Sequence, residues 1–161
     1  MELVADLLKL SHIFFGMLMV TGLLGSRILN LRAERSDEID LIWRLTRAAE
    51  PFDRLLTIGG PLLLLSGFAT AWAQGMPLLG LGAGWVLASI GLFIILAVLV
   101  VSVFRPAGMR IEAAIQKAHA EGRMSDDLRR ARSRTGRQRL AFWCGDLVTP
   151  AIIALMVLKP F

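Results

Sequence analysis

Between Leu55 and Phe104 the chain runs for 50 residues without one charged side chain. That length is too great for a single membrane span and right for two spans joined by a turn, since one span needs roughly 20 mostly apolar residues. The turn is visible as Gln74-Gly75-Met76-Pro77, with the Gly and Pro that punctuate helices. Trp72 and Trp85 flank it, as an aromatic belt at a membrane interface would. Spans are expected at 55–73 and 82–104. A further apolar segment covers 3–31, with an uncharged centre from Leu10 to Ser26, and another covers 140–158. The expectation is an all-α, polytopic four-helix bundle forming a single transmembrane domain over 1–161.

Charge segregation orients the spans. Of 18 Lys and Arg residues, ten lie between Arg105 and Arg139, and five more arginines lie between Arg32 and Arg54. The opposite side offers Lys9, Lys159 and an uncharged turn. The positive-inside rule then places both basic segments in the cytoplasm and both termini outside. A net charge of +5 concentrated in this way suits anionic headgroups and speaks against nucleic acid as partner. Arg129, Arg130, Arg132 and Arg134 are the expected headgroup contacts. One cysteine, Cys144, excludes an internal disulfide and a cysteine-built zinc site. The N-terminus lacks a basic n-region and a small-residue cleavage pattern, so the first segment reads as a retained span.

Short amphipathic helices are expected in the basic segments. Ser36, followed by Asp37, Glu38 and Asp40, resembles a helix N-terminus, and Ile39, Ile42, Trp43 and Leu45 recur at helical spacing. Pro51 is expected to end that helix or start the next segment. Arg105-Pro106 is expected to end the third span. Ile111, Ala114, Ile115 and Ala118 form an apolar stripe, Gly122 breaks it, and Ser125-Asp126-Asp127 caps a second short helix. Gly16, Gly22 and Gly25 give the first span a small face that another helix can approach closely. The two halves share one layout of helix, basic loop and helix.

Few residues in the spans can carry chemistry. His12 has two readings: a haem ligand or proton carrier, or a neutral histidine near the outer interface bonded to a backbone carbonyl or water. Asp146 lies about six residues into the fourth span. A charge there costs ~2.5–3.5 kcal/mol, so it needs a partner or a proton. Arg27, at matching depth in the first span, is the expected partner in a structural ion pair. Gly59-Gly60-Pro61 reads as a packing site with a tolerated kink or as a bend opening a cavity. Trp143 reads as an inner-interface anchor. Met17, Met19 and Met156 read as core filler, and Cys144 as a small buried hydrophobe.

Certain residues suggest a family. Lys9-Leu10-Ser11-His12-Ile13, Gly22-Leu23-Leu24 and Arg27-Ile28-Leu29, with Gly84-Trp85 and Ala88 and the ending Val157-Leu158-Lys159-Pro160-Phe161, resemble small bacterial four-span membrane proteins. Over nearly its full length the chain resembles an uncharacterised family of integral membrane proteins with a domain of unknown function. More distantly it resembles haem-containing membrane protoporphyrinogen oxidases and copper-resistance D-type proteins. The resemblance implies a bacterial inner-membrane scaffold, with His12 as a haem b ligand in the oxidase-like case. It does not imply oxidase activity: the third-helix histidine and lysine of the oxidases are replaced by Leu87 and Ser89. The leading expectation is a non-catalytic binding or accessory subunit, alone, self-associated or with a membrane partner. The alternatives are a haem or porphyrin redox protein using His12 and a small transporter using Asp146.

Overall fold

The computed structural model describes residues 2–75, 84–133 and 135–158, with Arg137 described by its backbone alone. These residues are helical, with no strand among them. In chain order they form α1 (Glu2–Glu34), α2 (Ile39–Ala73), α3 (Gly84–Leu99), a π turn (Val100–Phe104), α4 (Arg105–Glu121), α5 (Asp126–Arg132) and α6 (Gly136–Leu158). Four stretches are long and apolar enough to cross a membrane: Glu2–Glu34, Ile39–Ala73, Gly84–Glu121 and Gln138–Leu158. Most of their surface is not covered by the chain itself, as expected where lipid is the solvent. The chain forms two compact units, residues 1–76 and 77–161.

The first unit is a hairpin of α1 on α2. Its close approach rests on the glycines of α1. A Cβ on Gly22 would stand 2.8 Å from the Phe52 carbonyl oxygen and 3.2 Å from Leu55 Cβ, and one on Gly25 would overlap the Phe52 ring. Gly16 faces Leu63, and from the other side Gly59 faces the Met19 backbone. Gly59 and Gly60 are buried, in keeping with a packing role.

Three expected boundaries shift. Pro51 neither ends nor starts a helix: α2 runs as one 35-residue helix through Pro51 and Pro61. Each proline frees one carbonyl, and at Pro61, inside the span, a broken helix would strand several backbone groups at several kcal/mol each. Ser36 does not cap the helix directly. Its Oγ accepts the Glu38 N–H at 3.1 Å in the preceding turn, and Glu38 takes the N-cap position without a side-chain bond. The expected break at Arg105-Pro106 is also absent. The π turn, in which the Arg105 N–H reaches the Val100 carbonyl, leads straight into α4 with Pro106 in its first turn. Proline has no N–H for the preceding turn and its ring crowds the carbonyl there, so a locally widened helix accommodates it.

In the second unit, α3 and the π turn pack on α6. The Phe104 ring lies 4.8 Å from that of Phe142 and crosses α6 at Gly145, where a Cβ would come within 3.1 Å of it. Beyond the turn, Ala107, Ala114, Ile115 and Ala118 form the buried stripe of α4. Gly122, at φ 65°, ends α4 in the left-handed conformation that glycine adopts without penalty. Ser125 caps α5 as expected, its Oγ accepting the Leu128 N–H at 3.2 Å. At the start of α6, the Thr135 N–H donates to Gln138 Oε1 at 2.9 Å and the Gln138 N–H reaches Thr135 Oγ1 at 3.4 Å. This reciprocal pair is a capping box and starts α6 four residues before the expected span.

Two filler assignments change. Met17 is 65% exposed and faces outward, while Cys144 is only half-buried. Apolar side chains gain nothing by leaving lipid for protein, so composition does not separate core from lipid face. Met76, Pro77, the first residues of the expected third span and the Lys159-Pro160-Phe161 ending lie outside the described residues.

Candidate functional site

His12 sits on the face of α1 that meets α2. The helical spacing from Gly16 brings it against the turn Leu63–Gly67 of α2. Its Nδ1 is 3.1 Å from the Leu63 carbonyl oxygen and 3.2 Å from Ser66 Oγ. The Ser66 hydroxyl also donates to the Leu63 carbonyl at 3.0 Å, so three polar atoms close a triangle. Ser66 is buried. Gly67 makes room for the ring: a Cβ there would stand 3.0 Å from His12 Cε1 and 3.3 Å from Nδ1.

The triangle allows two proton arrangements. With the proton on Nδ1, the imidazole donates to the Leu63 carbonyl and Nε2 keeps its lone pair. With the proton on Nε2, Nδ1 accepts the Ser66 hydroxyl. In the first arrangement a backbone carbonyl fixes the tautomer and orientation of the ring, the support that ligating histidines ordinarily have. The carbonyl bond is also the one expected of a histidine with no chemical role. In either arrangement Leu63 and Ser66 hold the His12 ring against α2.

A second polar connection joins the same two helices. Asn30 Nδ2 donates to Ser26 Oγ at 3.1 Å, and the Ser26 hydroxyl donates to Asp53 Oδ1 at 2.6 Å. The short O–H to carboxylate bond is charge-assisted. Sequence reasoning missed these residues. The available signal was the spacing of Ser26 and Asn30, four apart on one helix face, and an acid just before the uncharged stretch that begins at Leu55.

The other expected site residues are spread over the chain. Arg27 is half-buried on α1 in the first unit, and Asp146 is exposed on α6 in the second. Arg129 and Arg130 are exposed on α5 and Arg132 is half-buried there, while Arg134 lies outside the described residues. Leu87 is 43% exposed, and the buried Ser89 hydroxyl donates to the Trp85 carbonyl at 2.7 Å. No group of three or more His, Cys, Asp or Glu among the described residues is arranged to hold a metal ion.

Compared with known proteins, residues 6–160 match the model of a family described as predicted integral membrane protein (DUF2269). No curated protein and no solved structure matches. None of these comparisons shows a likeness to the membrane protoporphyrinogen oxidases or the copper-resistance D-type proteins.

Proposed function

This chain belongs to the DUF2269 family of predicted integral membrane proteins, and from that premise we propose that it is a non-catalytic binding or accessory subunit of a bacterial inner membrane, with both basic segments in the cytoplasm. One observation carries the reading. On α1, Leu3, Leu7, Leu10, Phe14 and Met17 recur at helical spacing and stay more than half exposed. The opposite face of the same helix is spent on α2 through His12, Gly16 and Met19. Within the first unit that face is left uncovered, and a second membrane polypeptide is the occupant proposed for it, with lipid as the alternative. A photo-crosslinking residue at Phe14, activated in intact membranes, should give a discrete protein adduct. Adducts with lipid alone would overturn the accessory reading.

The anchored His12 favours a second reading, a haem b protein. The residues present offer such a group one ligand: His12 would hold it through the ring nitrogen that Leu63 and Ser66 leave free, those two residues fixing the ring. Haem, when bound, supplies one-electron chemistry. The chain's own part is to orient the imidazole and, through Gly67, to give it room. Protein purified after haem supplementation should show a Soret band that His12→Ala removes without unfolding. Protein without bound haem after that supplementation would sink this reading.

A further inference from the structure

The seven-residue helix α5 is fastened to α4 at several points. Gly122 turns the chain back, Ser125 caps the helix, and α5 packs on α4 with Leu128 fully buried. Across the turn, Lys117 Nζ donates to Asp127 Oδ2 at 2.7 Å. With Leu128 turned inward, 100° per residue puts Arg130 on the opposite side of the helix and Arg129 on its flank. Both are exposed, and neither is in an ion pair among the described residues.

The surroundings are strongly cationic. From Arg105 to Arg139 ten Lys and Arg stand against four Asp and Glu. Two of those four acids are already paired, Asp127 with Lys117 and Glu121 with Arg123 at 3.5 Å. The location is fixed by the chain: only residues 133–135 separate α5 from α6, which is long and apolar enough to enter the bilayer. Arginines so placed are within reach of the headgroups around the mouth of α6, and a guanidinium matches a phosphate by paired N–H donors.

We propose that α5 is a recognition element for acidic phospholipid, in which Arg129 and Arg130 bind headgroup phosphates of the leaflet that α6 enters. The fastening of α5 to α4 gives the site its specificity, because it presents the two guanidiniums as a fixed pair in place of a mobile basic loop. Free phosphate shares the ligand chemistry, and membrane proximity selects the lipid.

The test uses the full chain in nanodiscs of phosphatidylcholine, with or without phosphatidylglycerol, read by hydrogen exchange over residues 122–135. Phosphatidylglycerol should slow exchange in α5 by about tenfold, the equivalent of one to two near-surface arginine contacts. High salt should reverse the effect. R129Q/R130Q should remove the lipid dependence, while its exchange in neutral discs stays that of the parent, showing that α5 still folds. Equal exchange in the two disc types would overturn the proposal, as would lipid protection that survives in R129Q/R130Q. Protection of neutral discs by inorganic phosphate or by a soluble acidic polymer, without any from phosphatidylglycerol, would assign the arginines to another anion and equally overturn it.

Discussion

The Phe52 ring occupies the space that a side chain on Gly25 would need, so α1 and α2 meet at that level only because residue 25 has none. Gly25→Ala should therefore destabilise the first hairpin. Overpacking of this kind costs about 1–3 kcal/mol. A lowered melting temperature in detergent is the readout, and Phe52→Leu in the same chain should restore part of it. An unshifted Gly25→Ala protein would show that the helices can separate there at no cost.

One level away from Phe52, the Ser26 hydroxyl donates to Asp53 at 2.6 Å with Asn30 behind it. Removing either partner should cost about 1 kcal/mol, as Asp53 keeps access to water. Ser26→Ala and Asp53→Ala should be less damaging together than their separate losses imply. Strictly additive losses would mean that the bond contributes no coupling.

The distribution of arginines sets membrane orientation. In a Cys144→Ser background, a cysteine at position 130 should resist an impermeant thiol reagent in intact cells, while one at position 76 should react. The opposite pattern would invert the topology, and with it the leaflet assigned to α5.

The Lys117–Asp127 bond makes the α4–α5 fastening pH-dependent at both extremes. The bond from Lys117 holds the Asp127 carboxyl below its ordinary 3.8, and the same bond raises Lys117 above its ordinary 10.5. The Asp127 contribution is present above the ordinary carboxyl value and is lost as pH falls through the depressed one. The Lys117 contribution is present below 10.5 and is lost as pH rises through the raised value. The separation between spin labels at positions 113 and 133 should stay constant through neutral pH and broaden at either end. Asp127→Asn should broaden it at neutral pH, and an unchanged distribution there would show that Leu128 alone fastens α5.

Much of the fold was legible in the residues. Uncharged runs between basic segments produce spanning helices because the bilayer leaves a backbone no other way to satisfy its hydrogen bonds. Gly122 and Ser125 acted as the stop and cap they resemble, since those signals are local. The small face of Gly22 and Gly25 was also readable, for a missing side chain can only help a close approach. The prolines misled: whether Pro51 or Pro106 breaks a helix depends on what a break would strand, and that is a property of the surroundings.

Sequence alone therefore determined that this chain is an all-helical membrane protein with four candidate spans and two basic segments. Composition and periodicity fix which backbone can exist in lipid. The tertiary structure alone decided the partners of His12 at Leu63 and Ser66, the Ser26–Asp53 bond and the outward setting of Met17. Each depends on which faces of two helices distant in sequence meet, and in a bilayer apolar residues carry no preference between protein and lipid to announce that choice.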